Sequence, residues 1–160
     1  MADRIAVLNR GRLEQLGSPI DIYDAPRSLF VNTFVGGCNL LPGRLVGAST
    51  GAATVALDCG ATLQARAPAG PVSVGDRIVA CIRPEHLTVA DDGDGLAGTI
   101  EVGMPLGAAV VHEIRLGNGD TVKIAEGRAA GGAPRPPGTE VTILPRPGAV
   151  FVFPAPAGAQ

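Results

Sequence analysis

From Asn39 to Pro154 the chain is cut by Gly, Pro and Asp into short runs of alternating apolar and polar residues. Spacing of this kind leaves no room for helices of ordinary length and is the pattern of a small all-β barrel or sandwich. It predicts strands near Leu40 to Val46, Ala53 to Leu57, Thr62 to Ala67, Arg77 to Arg83, Leu87 to Val89, Leu96 to Val102, Ala108 to Leu116, Thr121 to Ile124, Glu140 to Leu144 and Val150 to Phe153. Two turns are well signed, Asp58-Cys59-Gly60 and Gly117-Asn118-Gly119-Asp120. Residues 68–71 and 129–138 read as loops, and the second offers no large apolar side chain to offset the entropy of ordering it, so it is expected to be disordered. The tail after Pro154 is expected to fray.

The first 37 residues read differently. Arg4-Ile5-Ala6-Val7-Leu8 is apolar on both faces, like a strand inside a larger sheet, and Asn9-Arg10-Gly11 turns it back into Arg12 to Leu16. An isolated hairpin is marginal in water, so residues 1 to 17 read as the ragged end of a larger domain. Ser18 then serves as an N-cap, with Pro19 at the first helical position and Asp21 favourable to the helix dipole. Pro26 stops that helix, and a second is expected from about Arg27 to Val35, with Phe30 and Phe34 four apart as a packing stripe. Gly36-Gly37 is expected to supply its left-handed cap.

Composition narrows the function classes. Mean hydropathy is +0.27 and 46% of residues are hydrophobic, which describes a turn-rich globular chain even with Gly 23 and Pro 14. No apolar run approaches the roughly 18 residues of a membrane span, and Met1 to Arg4 lacks the regions of a signal peptide, so a cytoplasmic location is expected. Cys38, Cys59 and Cys81 show no CxxC spacing and suggest neither a disulfide framework nor a zinc site. Net charge of −2 offers no footprint for a phosphate backbone, so nucleic acid is not an expected partner.

Catalytic patterns are missing from the sequence: there is no Gly-x-x-x-x-Gly-Lys-Ser/Thr loop, no Gly-x-Ser-x-Gly elbow and no His-Glu-x-x-His helix. His86 and His112 each adjoin an acid, Glu85 and Glu113, but neighbours on a strand face opposite ways and make no dyad. Asp91-Asp92-Gly93-Asp94-Gly95 resembles a calcium loop only at its start, since Val102 fills the slot of the bidentate Glu; a polar turn is expected. No catalytic, cofactor or metal-binding residues are therefore assigned. One element stands out, Ile82-Arg83-Pro84-Glu85-His86-Leu87, directly after the apolar run Ile78 to Cys81. Pro84 must end or bulge a strand, and Arg83 and Glu85, on one side of an extended chain, are expected to pair and hold the bend.

Taken in order, the motifs resemble a known family. Met1 to Pro19 resembles the last part of the ATP-binding subunit of bacterial ABC importers. Ile22-Tyr23-Asp24-Ala25-Pro26, Phe30-Val31, Phe34-Val35-Gly36 and Asn39-Leu40-Leu41-Pro42-Gly43 resemble its passage into an accessory domain, and Arg83-Pro84-Glu85 is similar to the signature of that domain, called TOBE. The resemblance implies a mainly β, OB-fold-like small barrel preceded by a β-hairpin and two short helices. Its implied divisions are a remnant of the ATP-binding domain over 1–37, the TOBE domain over 38–154 and a flexible tail over 155–160.

It further implies that the Walker A loop, the signature loop, the Mg²⁺-binding Walker B strand and the switch histidine all precede the position of Met1. This polypeptide alone is then expected not to hydrolyse ATP, with ATP and Mg²⁺ bound only by a full-length parent. Partners implied are a second copy in a homodimer and transmembrane permease subunits, with a place in the cytoplasm peripheral to the inner membrane. Arg83, Pro84 and Glu85 carry over as a signature site with an interface or structural role. The stretch at Asn39 most resembles the spermidine/putrescine branch, although iron, sugar and phosphodiester importers share much of the pattern.

Two other readings compete. A TOBE module could sense an oxyanion through backbone amides in turns. An OB-type barrel for single-stranded nucleic acid would need stacking aromatics in a positive groove, but only Phe151 and Phe153 fall within the barrel.

Overall fold

The computed structural model describes residues 3–128 and 133–157. A hairpin of β1 (Ile5–Asn9) and β2 (Arg12–Gly17) leads into helices α1 (Pro19–Asp24) and α2 (Leu29–Phe34). Ten strands follow: β3 (Asn39–Ser49), β4 (Ala52–Leu57), β5 (Thr62–Arg66), β6 (Arg77–Ile82), β7 (Leu87–Ala90), β8 (Leu96–Leu106), β9 (Ala109–Leu116), β10 (Thr121–Gly127), β11 (Glu140–Pro145) and β12 (Phe151–Pro154). The fold is mainly β, as the punctuated sequence predicts, and OB-like, as the family resemblance implies. Every predicted strand is present, and β3 and β8 run several residues beyond their expected ends.

Local chemistry explains the first segment. Arg10 (φ 48°) and Gly11 (φ 80°) turn the first hairpin through the left-handed region, as a two-residue turn with the twist of its strands requires. Ser18 and Asp21 close a reciprocal capping box on α1, with Asp21 N–H donating to Ser18 Oγ at 3.1 Å and Ser18 N–H donating to Asp21 Oδ2 at 3.0 Å. Gln15, buried in β2, fastens hairpin to helices: its amide donates to the Ala25 carbonyl at 3.0 Å and its oxygen accepts from Arg27 N–H at 2.8 Å. Helix α2 is shorter than expected because Ser28 caps it, and Phe30 and Phe34 stack with centroids 5.8 Å apart. Neither Gly36 nor Gly37 has positive φ, so the expected left-handed cap is replaced by Val35 at φ −87°.

The ten later strands form two five-stranded antiparallel sheets, in the orders β12-β6-β3-β4-β5 and β7-β11-β8-β9-β10. The sheets are two copies of one pattern. Strands β3 and β8 are both 11 residues long and both bulge, at Val46 and at Glu101. Gly75 N–H donates to the Leu45 carbonyl and Leu45 N–H to the Asp76 carbonyl; Gly138 and Ile100, then Ile100 and Thr139, repeat both bonds. The turns after β4 and β9 repeat as well, through Gly60 N–H to Leu57 and Gly119 N–H to Leu116. From Gly75 to Ala90 the chain aligns without a gap on Gly138 to Phe153, matching Arg83-Pro84 with Arg146-Pro147.

Each copy lends its fifth strand to the other. Strand β7 follows β6 in sequence yet pairs with β11, and β12 follows β11 yet pairs with β6. The exchange joins the sheets over one core in which Leu45, Val55 and Ile78 of one meet Ile100, Ile114 and Ile143 of the other, all 1% exposed or less. Each such side chain contributes roughly 1.5–3 kcal/mol by burial.

Part of the 129–138 loop departs from expectation. Residues 129–132 lie outside the described residues, but Arg135 is anchored, with its N–H donating to His112 Nε2 at 3.2 Å and its guanidinium pairing with Asp91 at 2.6 Å. In the tail, Ala155 N–H donates to the Arg77 carbonyl at 3.2 Å, and residues 158–160 fall outside the description. The Asp91 to Gly95 stretch is a bend, as expected of a polar turn.

Candidate functional site: the Arg83 clasp

Pro84 ends β6 and occupies the first position of a 3₁₀ turn, Pro84–His86, closed by His86 N–H donating to the Arg83 carbonyl at 3.0 Å. The turn rotates Glu85 away from Arg83, so the expected Arg83–Glu85 ion pair does not form: a half-turn of helix does not keep residues two apart on one side, as a strand would. The two side chains instead meet the same aromatic ring. The Arg83 guanidinium carbon lies 3.8 Å from the Tyr23 ring centroid, and the Tyr23 hydroxyl donates to Glu85 Oε1.

Arg83 is 1% exposed, an unusual condition for a charged side chain. Its Nη2 donates to Oδ1 of the fully buried Asn32 at 3.4 Å, and its Nε has no partner among the described residues. Gly36 completes the enclosure, for a Cβ added there would stand 2.5 Å from Arg83 Nη1. That close approach is what requires glycine at 36. Burying a cation against a ring in place of water is worth about 2 kcal/mol or more in attraction, set against a desolvation cost of several kcal/mol.

The surrounding groups titrate accordingly. Burial raises Glu85, but the Tyr23 hydroxyl, its own backbone, His86 and Arg83 outweigh that and hold its carboxyl below the ordinary carboxylate value. Tyr23 is raised, first by burial and then by its bond to Glu85. The site thus joins α1 through Tyr23, α2 through Asn32, the following Gly36 and the β6–β7 turn. It contains no nucleophile paired with a base. What it can do is hold the helical segment and the β sheets in one fixed relation.

The duplicated fold makes this asymmetric. Arg146-Pro147 occupies the matching turn between β11 and β12, where Ala149 N–H donates to the Arg146 carbonyl at 3.1 Å, yet Arg146 is exposed. Only the first Arg-Pro turn is covered by helices. Of the residues singled out in the sequence, Arg83 and Glu85 converge on Tyr23 and Pro84 shapes the turn between them. Tyr23, Asn32 and Gly36 were missed as partners; Asn32, polar among Phe30, Val31 and Phe34, was the available signal.

His112 is also buried, but its partner is not the adjacent Glu113. Its Nδ1 lies 3.9 Å from Glu126 Oε2 of β10, while Glu113 pairs with Lys123 at 3.1 Å. Among the described residues no group of three or more metal-binding side chains occurs.

Comparisons with known proteins agree with this architecture. Residues 80–153 match the TOBE domain family, from within β6 to within β12. The chain is 35% identical over 133 residues to the spermidine/putrescine import ATP-binding protein PotA of Mesorhizobium japonicum, covering 82% of this chain and 36% of that protein. It is 37% identical over 156 residues to PotA of Frankia alni (90% and 30% covered) and 35% identical over 159 residues to PotA of Methylococcus capsulatus (96% and 41%). The chain thus spans about a third of the length of these curated relatives. In fold it is similar to the cytoplasmic molybdate-binding protein ModG, solved with molybdate bound, at a TM-score of 0.61 and 15% identity over 73% of this chain and 96% of that one. Residues 80–153 therefore match a TOBE domain, and most of the chain is similar to about a third of the length of the spermidine/putrescine import ATP-binding proteins.

Proposed function

We propose that this chain is the regulatory and dimerisation region of an importer's ATP-binding subunit, of the spermidine/putrescine type, energising uptake only as part of a full-length protein that binds ATP and Mg²⁺ elsewhere. Its place is then cytoplasmic and peripheral to the inner membrane through the permease subunits, and it hydrolyses no ATP alone. The observation that carries this reading is the Arg83 clasp, which makes the helical segment and the β sheets one mechanical unit and lets the state of one be felt by the other. Exposed Leu8 and Leu13 of the hairpin and Ile20 of α1 support placing this segment against further protein, the remainder of a nucleotide-binding domain.

The test is a chimera in which this chain replaces the matching region of the Methylococcus capsulatus relative. Spermidine uptake by the chimera is expected, with Arg83→Ala lowering uptake more than nucleotide binding. A chimera that binds nucleotide and assembles with its permease but never transports would overturn the reading.

A second reading, oxyanion sensing by the TOBE module, is favoured by the fold shared with a molybdate-binding protein. A ligand that binds only the folded state must raise Tm. Absence of any shift at millimolar molybdate or sulfate removes it.

A further inference from the structure

We infer that Cys38 and Cys81 form a peroxide-sensitive thiol pair that closes into a reversible disulfide across the joint between α2 and the β sheets. The two thiols are free and in direct side-chain contact, packed in a small cluster with Val79, Phe151 and Phe153. Cys38 is the residue just before β3, whose Asn39 and Leu40 pair with Ile82 and Cys81 of β6, so it sits at the start of that ladder, close to Cys81. The β3–β6 ladder that begins at Asn39 thus anchors the chain immediately after Cys38. The roles are divided by burial: Cys38 is partly buried and keeps some surface open to a small oxidant, while Cys81 is fully buried.

The surroundings favour reaction at Cys38. Asn32 Nδ2 donates toward Cys38 Sγ at 3.6 Å, and the buried Arg83 guanidinium adds positive charge nearby. Contact with Cys81 lowers the Cys38 thiol against the burial that raises it, and Arg83 and Asn32 add to the lowering. Cys81 is pushed up, by its bond to Cys38 and by burial. A thiolate of this kind, partly exposed and beside a cation, is the form that attacks peroxide.

The chemistry balances with a hydroperoxide as oxidant. The Cys38 thiolate attacks the peroxide, the O–O bond breaks, and Cys38 becomes a sulfenic acid as hydroxide leaves. The Cys81 sulfur then attacks the sulfenic sulfur, the S–O bond breaks, and its own thiol proton departs with that oxygen as water. A dithiol reductant reverses the step. Because Asn32 donates to Cys38 and accepts from Arg83, the state of the pair is directly coupled to the clasp.

The test is hydrogen peroxide treatment of the 160-residue chain, alkylation of remaining thiols and peptide mapping without reduction. The expected result is a Cys38–Cys81 cross-linked peptide, lighter by two hydrogens and reversed by dithiothreitol, with Cys59 in the β4–β5 turn alkylated; Cys59→Ser gives the same map. In Cys81→Ser, Cys38 is expected to accumulate as sulfenic acid trapped by a cyclic diketone. Should that variant fail to fold, the wild-type and Cys59→Ser maps decide alone. Sulfinic acid at Cys38 beside an alkylated Cys81, or a cross-link through Cys59 or between two chains, overturns the inference.

Discussion

Gly36 lies so close to Arg83 that a Cβ at position 36 would stand 2.5 Å from the guanidinium nitrogen Nη1. The two residues are 47 apart in sequence and occupy different parts of the fold, the exit from α2 and the end of β6. Their contact is the tightest point of the clasp. Gly36→Ala forces the guanidinium off Tyr23 or off Asn32, at an expected cost of about 1–2 kcal/mol. In an Arg83→Ala background the same change should cost almost nothing. Urea unfolding of the two single variants and the double variant measures this, and additive costs would mean that Gly36 is held by something else.

Arg83→Met keeps much of the volume but removes the cation over Tyr23 and the donor to Asn32. Tyr23 and Asn32 lose their common partner, and an Asn32 oxygen is left buried without a donor. The expected loss is about 2–3 kcal/mol, or roughly 4–12 °C in Tm for a chain of this size. Arg83→Lys should recover only part of it, because an ammonium lacks the planar face that stacks on a ring. The matching change Arg146→Met, at an exposed position, is expected to stay within about 0.5 kcal/mol.

The strand positions were legible from the sequence because each half-buried strand writes its own alternation and each turn its own Gly or Asp. Strand partners were not. Alternation at Leu87 to Ala90 says that one face is buried but not that β11, rather than β6, lies beside it. The duplication was equally hidden: between residues 75–90 and 138–153 only Gly75, Arg83, Pro84 and Val89 keep their identity, at Gly138, Arg146, Pro147 and Val152. Arg83-Pro84-Glu85 was conspicuous by composition, yet its geometry was misjudged, since the extended-chain assumption fails where Pro84 opens a 3₁₀ turn. Tyr23 and Asn32 could not be tied to it because the contact spans about 50 to 60 residues of sequence.

The repeat itself is testable at Gly43 and Gly98. Gly43 opposes Leu57 and Gly98 opposes Leu116, at matching places before the bulges of β3 and β8. A Cβ on Gly43 would stand 2.4 Å from the Ala56 carbonyl oxygen, and one on Gly98 would stand 2.9 Å from the Arg115 carbonyl oxygen and 2.6 Å from Ile114 Cγ2. Backbone cannot swing aside as a side-chain tip does, so either Ala substitution should cost about 2 kcal/mol or more. Equal losses of Tm in the two variants are expected; a neutral Gly98→Ala would show that the second copy tolerates what the first does not.

Stability should also fall on mild acidification, through His112. Its Nε2 accepts from Arg135 N–H, so a proton added there turns an acceptor into a donor facing another donor. Burial lowers its pKa below 6.5, Glu126 opposes this, and the Arg135 charge adds to it. A folded-state value below the unfolded one means that the unfolded chain binds the proton first. The contribution is therefore complete above about pH 6.5 and is lost as pH falls through the lower folded value. Asp21, Asp58 and Glu85, all held below their ordinary values of 3.8 or 4.5, lose their contributions only in more acid solution, which leaves the range between about pH 6.5 and 5 to histidine. Tm measured from pH 8 to 5 should be flat and then decline. His112→Gln, which can still accept from Arg135 but does not titrate, should flatten the decline, and an unchanged slope in that variant would move the effect to another group.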